Sequence, residues 1–164
     1  MLFPIQARRC NTVSASDERG GKVDRMQLSV RTVDYYYTQV EDQPGKAYEL
    51  LSELATEAIS LLAFSAIPYG PNRVELTIFP DHAEHLQLAA QKLGWKLSGP
   101  QHAFLIQGDD RLGALADVHK RLLDAKVNIY ASSGVTDGEG RYGYIIYVKD
   151  SDHAAAKKAL EMLL

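Results

Sequence analysis

The phrases "EDQPG" at residues 41–45 and "DDRLG" at residues 109–113 are the stretches of this sequence best equipped for chemistry. Each places two acidic side chains shortly before a glycine and leads into a segment of helical pattern. The first N–H groups of a helix have no partner within it and carry partial positive charge, so they attract anions. A glycine lets a ligand reach that backbone without meeting a Cβ. Carboxylates alongside can hold an ammonium group. One loop thus offers donors for a carboxylate and acceptors for an amine, the two ends of a free amino acid. The same residue types also cap helices and make turns, and the residues alone leave both readings open.

The elements that position these loops are written twice. Gly45 and Gly113 lie 68 positions apart, and the same offset aligns Asp42 with Asp110, Leu54 with Leu122, Ser65 with Ser133, Gly70 with Gly138, Ile78 with Ile146 and His85 with His153. Each copy opens with an aromatic or branched strand, "VDYYYTQV" or "HAFLIQG". A helix follows. In copy one its apolar stripe is Ala47, Leu50, Leu51, Leu54, Ala55 and Ala58, with Pro44 suited to the opening turn. In copy two the stripe is Leu112, Leu115, Val118 and Leu122. Two strands and a tight turn come next. Tyr69-Gly70-Pro71-Asn72 makes the first turn, and Asp137-Gly138 with Gly140 the second. A second helix closes each copy, at 81–93 and 151–163. Asp81 and Glu84 stand in capping-box spacing, and Gly94 marks a stop.

Copy one continues into a fourth strand, "WKLSGP", and copy two does not. "MQLSV" at 26–30 resembles "WKLSG" at 95–99, which predicts that residues 26–31 cross over and supply the fourth strand of the second unit. An uncovered sheet edge is an aggregation liability, so the exchange has a physical motive. The organisation expected is an extension at 1–25, disordered or an over-long gene start with Met26 the true beginning, then units at 26–100 and 101–164.

Composition narrows the function. A formal charge of −3 disfavours nucleic acid and anionic membrane surfaces as partners. The single cysteine, Cys10, rules out an internal disulfide and points to a reducing, cytoplasmic setting. The longest apolar run, residues 58–67, is too short to span a bilayer. His82 and His85 sit three apart on a helix without a matching ligand set, so no metal is expected, and His119 reads as a packed histidine. No phosphate loop, dinucleotide fingerprint or nucleophile elbow is present, so neither a cofactor nor a catalytic residue is assigned.

With two βαββαβ units, each carrying a D-x-x-G-type loop into its first helix, the chain resembles the ACT domains, ligand-binding regulatory modules of amino-acid metabolism. Residues 102–135, "HAFLIQGDDRLGALADVHKRLLDAKVNIYASSGV", carry the likeness best. The resemblance implies an α+β fold of two ferredoxin-like domains paired side by side into an eight-stranded sheet with helices on one face. It also implies a ligand at the seam, between the loop of one domain and the second strand of its neighbour. Carried over, Glu41, Asp42, Gln43 and Gly45 would face Asn128, and Asp109, Asp110, Arg111 and Gly113 would face Ser60. The first combination is the better equipped, because the Asn128 amide both donates and accepts. The implied function is a non-catalytic sensor binding a small ligand, a free amino acid.

Two other readings compete. "YGYIIY" at 142–147, with Phe104 on the adjacent strand, resembles the base-stacking strand of RNA-recognition domains, which share this topology. A small enzyme would have to use the loop acids Asp109 and Asp110. The alternation in "YGYIIY" suits a structural role, with Tyr142, Tyr144 and Ile146 on one face and Ile145 and Tyr147 on the other. A strand apolar on both sides needs both faces covered. That predicts a homodimer packed through the helix-free face.

Overall fold

The computed structural model describes residues 28–163; the extension at 1–25 and the first two residues of the crossing segment lie outside them. In chain order the elements are β1 (Ser29–Glu41), α1 (Lys46–Thr56), β2 (Leu61–Pro68), β3 (Arg73–Pro80), α2 (Ala83–Leu93), β4 (Ser98–Asp109), α3 (Ala114–Asp124), β5 (Ile129–Thr136), β6 (Arg141–Val148) and α4 (His153–Glu161), with a 3₁₀ turn at Asp150–Asp152. The six strands form one antiparallel sheet in the order β2-β3-β1-β4-β6-β5. The result is an α+β fold of two ferredoxin-like units side by side.

Six strands stand where the resemblance implies eight, because β1 and β4 are long enough to serve both units. Tyr36 to Glu41 of β1 pair with β3, whereas Ser29 to Tyr35 pair with Gln107 to Gln101 of β4. The last three residues of "WKLSGP" and all of "HAFLIQG" likewise fall in the single strand β4, with Trp95–Leu97 ahead of it.

Alternation along the strands separates the two faces. Tyr36, Leu76 and Ile78 turn toward α1 and α2, where Leu50, Leu54, Leu86 and Ala89 cover them. Phe104, Ile106, Tyr144 and Ile146 turn toward α3 and α4 and meet Val118, Leu122, Ala156 and Leu160. The opposite face carries a third cluster: Val33, Tyr35, Phe79, Ala103, Leu105 and Ile145, with Tyr37, Leu62, Ala63 and Tyr147 against it. The Tyr35 ring lies 5.2 Å from Phe79 and 5.3 Å from Tyr147. Its hydroxyl donates to Gln101 Oε1 at 3.4 Å, accepts from Tyr37 at 3.4 Å and meets the Tyr130 hydroxyl at 3.5 Å. Burial pushes the Tyr147 phenol up to about 12 and raises Tyr35 as well.

This cluster corrects the reason given for a partner chain. Tyr35 and Phe79 are each only 1 % exposed within a single chain. In a flat sheet β2 and β5 would stand about 24 Å apart, five strand spacings. Leu62 and Tyr130, from the two edges, instead both reach the group around Tyr35. The sheet therefore curls toward its helix-free side and covers most of that face itself. The RNA-type platform fails for a related reason: Phe104 and Tyr144 are buried beneath the helices.

Helix ends account for smaller departures. Gly94 ends α2 in the left-handed region at φ 73, as expected. The capping box does not form, since the N-cap of α2 is His82 and makes no side-chain cap bond. Pro44 precedes the N-cap Gly45 rather than opening α1. Leu112 is fully exposed and Leu115 39 % exposed, outside the buried stripe of α3. Ala58 falls beyond α1 at φ 54, and Lys126, 68 residues later, falls beyond α3 at φ 57. At both sites the next residue donates back five positions, Ile59 to Leu54 O and Val127 to Leu122 O, each at 2.9 Å. These are Schellman closures with the expected apolar contact, made without the usual glycine. A left-handed non-glycine residue costs about 1 kcal/mol. Lys126→Gly is therefore expected to raise the melting temperature by roughly 2–4 °C; a lowered one in thermal denaturation would contradict the assignment.

Candidate ligand site

Loop one leaves the end of β1, where Glu41 pairs with Arg73. The Asp42 N–H donates to Asn72 O at 3.0 Å and the Gln43 N–H to Glu41 O at 2.9 Å, which folds the loop into a turn. Gly45 then starts α1 at φ 93, with open space where a Cβ would stand. Glu41, Asp42, Gln43 and Gly45 are all exposed.

Loop two leaves the end of β4 and is more enclosed. The Asp110 N–H donates to Gly140 O at 2.7 Å, and its carboxylate accepts from Thr136 Oγ1 at 3.2 Å. Arg111 donates to Asp117 on the first turn of α3. Gly113, at φ 82, also leaves its Cβ position open. Asp110, Arg111 and Gly113 border a cavity of about 770 Å³ whose other walls include Gly134, Thr136 and Tyr142. Asp109 and Arg111 also border a neighbouring hollow with Tyr142 and Asp117.

Within one chain, neither loop meets the residue paired with it by resemblance. Leu61 pairs with Pro80, and Ile129 with Val148. Through the register of the inner strands these positions fall level with Asp34 and His102, which are partners of each other. Ser60 and Asn128 therefore sit at mid-height on opposite edges of the sheet, while the loops lie at its two ends. Each loop is separated from its expected partner by three strand spacings, about 14 Å, and by roughly 23 Å along the strands. Ser60 is exposed at the head of β2, and Asn128 lies in a shallow hollow beside His119 and Ser132. What joins loop two instead is the far end of β5 and the start of β6. Each loop is tied to the hairpin turn of its own unit, Asp42 N–H to Asn72 O and Asp110 N–H to Gly140 O.

Asp34 and His102 are themselves 68 residues apart and mark the centre about which the units repeat, with Oδ1 and Nδ1 2.8 Å apart. His153 stacks on Phe104 at 4.7 Å, and its buried Nε2 has no hydrogen-bond partner among the described residues. His119 is exposed rather than packed, though its Nε2 lies 2.6 Å from the Tyr144 hydroxyl. Among the described residues no group of histidine, cysteine or carboxylate side chains could hold a metal, and no helix is long and apolar enough to cross a membrane.

No protein-family model and no curated protein matches the sequence. Solved structures do match. Protein BT0572 from Bacteroides thetaiotaomicron superposes with a TM-score of 0.69 at 17% identity, over 81% of this chain and 89% of that one. The ligand-free regulatory subunit of aspartate kinase from Thermus thermophilus follows at 0.58 and 19%, over 85% and 98%. The corresponding Thermus flavus subunit gives 0.50 and 17%, over 85% and 97%. The chain has the ACT-type fold. Its two ACT-type halves share one sheet, so the loops under discussion are the β1–α1 and β4–α3 connections of that fold.

Burial, then the nearby charges of His102 and Lys157, push the His153 pKa below its ordinary 6.5, with Asp150 opposing them. The fold thus favours neutral His153, while the unfolded chain takes up the proton first as pH falls. Stability from this group is complete above about pH 6.5 and declines as pH drops toward the depressed folded value. The urea midpoint is expected to fall between about pH 7.5 and about pH 5.5, and to fall less in His153→Phe. Equal falls in the two proteins would remove His153 as the cause.

Proposed function

We propose that the protein is a cytoplasmic, non-catalytic sensor that binds a free amino acid at its β–α loops and signals through a change in how copies of the chain pair. The observation carrying this reading is loop two. It sets the Arg111 cation, held by Asp117, and the Asp110 carboxylate, held by Thr136, near Gly113, whose Cβ position is open, at a helix start. The ligand carboxylate would meet the α3 N-terminus and Arg111; its ammonium would meet Asp109 and Asp110. The regulatory subunits that share the fold support a regulatory role.

Loop one, with Glu41, Asp42, Gln43 and Gly45, is proposed as the second element of the same design. Its polar complement, Asn128, can reach it only from another copy, as Ser60 can reach loop two. A homodimer that brings the edge-strand heads of one copy against the loops of the other would supply both, whereas packing through the sheet face is less favourable because that face is already largely covered. Ligand binding then acts only through its difference in affinity between paired and unpaired chains.

In a thermal-shift screen of the full chain against the twenty amino acids, at least one is expected to raise the melting temperature. For that amino acid, Asp110→Asn and Asn128→Ala are each expected to weaken binding about ten-fold, the loss of one charged hydrogen bond. Sedimentation is expected to show dimers that strengthen with ligand. No shift with any amino acid would defeat the proposal, and an unchanged dissociation constant in Asn128→Ala would remove the second copy's part in it.

A further inference from the structure

On the helix-free side, the curl of the sheet leaves a cavity of about 690 Å³ beyond the aromatic cluster. Ser65 of β2 stands on one wall and Ser133 of β5 on the other, so the two edge strands face each other across it. Phe79, Leu105 and Ile145 contribute apolar floor, and each is at least nine-tenths buried. This volume lies within the range of small-molecule sites, which are mostly apolar with a few placed polar groups.

Two residues give the cavity a chemical preference. Arg141, at the start of β6, borders it; its backbone N–H, and then its charge, help hold the nearby Asp137 carboxyl below its ordinary pKa, but no hydrogen bond ties its guanidinium to the described residues. The neighbouring Asp137 carboxylate is already engaged, accepting from the Glu139 N–H at 2.8 Å and the Arg141 N–H at 3.0 Å. The remaining polar groups near the mouth, Ser65, Gln107 and Ser133, are neutral. The second residue is Gly143. It lies inside β6, paired with Gln107 and Val135, in a backbone conformation open to any residue. A Cβ there would meet nothing within 4 Å. Neither φ nor packing calls for glycine, and glycine within a strand weakens it. By alternation with Ile145 its missing side chain would point to the helix-free face, into the cavity. The glycine keeps that space open.

We propose that this cavity is a ligand site, separate from the loops, for a small monocarboxylate with an apolar body. The apolar part lies over Leu105 and Ile145, and the carboxylate is held by Arg141. Because Gly134, Val135, Thr136, Tyr142 and Gly143 itself border both this cavity and the one under loop two, occupancy here reaches the wall of the amino-acid site.

Titration of the full chain by calorimetry with octanoate, and in parallel with neutral octanol, tests the assignment. Octanoate is expected to bind more tightly than octanol. Arg141→Gln is expected to weaken octanoate about ten-fold, one charged hydrogen bond, and to leave octanol unchanged. Gly143→Val is expected to keep or raise the melting temperature, since valine suits a strand, and to abolish binding of both compounds. Ser133→Trp, from the exposed edge strand, is expected to block both as well. Octanoate that does not bind, or that binds equally well to folded Gly143→Val and Ser133→Trp proteins, would overturn the proposal. Octanoate lacks an amine, so its binding survives or fails independently of the amino-acid screen.

Discussion

Everything in this molecule depends on the antiparallel pairing of Ser29–Tyr35 with Gln101–Gln107. Each βαββ half lacks a strand of its own and finds it in the extension of the other half's first strand. Backbone N–H and C=O groups along an inner strand must be paired, because leaving them buried and unmet is expensive. The mutual loan satisfies both inner edges at once. It also explains why the sheet has only two free edges, β2 and β5, and why the central strands run to 13 and 12 residues, about twice the usual length.

Long, inner strands accumulate twist, and here the twist has a consequence for packing. The helix-bearing face is held open by four helices. The other face has no covering layer and closes on itself, drawing Leu62 and Tyr130 toward Tyr35. The aromatic residues that might have required a partner become internal packing. What remains is a trough between the edge strands, apolar in its floor and polar at its mouth. The loops, by contrast, sit at the two ends of the sheet, exposed and rigidly turned. Two concavities, one beside loop two and one on the helix-free face, thus meet around the end of β5.

Much of this was legible in the residues. The repeat of 68 was readable because its punctuation is chemical: Gly45 and Gly113, and Gly70 and Gly138, occupy matching left-handed positions. Ala58 and Lys126 do so too, but without a glycine to announce them, and the helix stripe ran past its true end as a result. The alternation in "YGYIIY" assigned the faces of β6 correctly, since period two has no other solution in a strand. It could not tell whether the second face is covered by another chain or by curvature, because curvature is a property of all six strands together. The loops were placed from residue types, as strand-to-helix turns with a left-handed glycine. Their partners were not, because the distance from Asn128 to loop one is set by strand order and register, which the residues of either segment do not encode. Gly143 was visible as part of a motif, yet only the empty volume beside it distinguishes it from an ordinary small residue.

The loan of strands also has an order in time. Synthesis runs from the N-terminus, so Ser29–Tyr35 leaves the ribosome well before the segment it pairs with. Until Gln101–Gln107 emerges, the earliest-made part of β1 presents a bare ladder to the cell, and the second unit receives its last strand from a segment made well before the rest of it. Closure across such a span is an entropically slow step. Nascent chains of this design spend the interval before it as half a sheet awaiting the other.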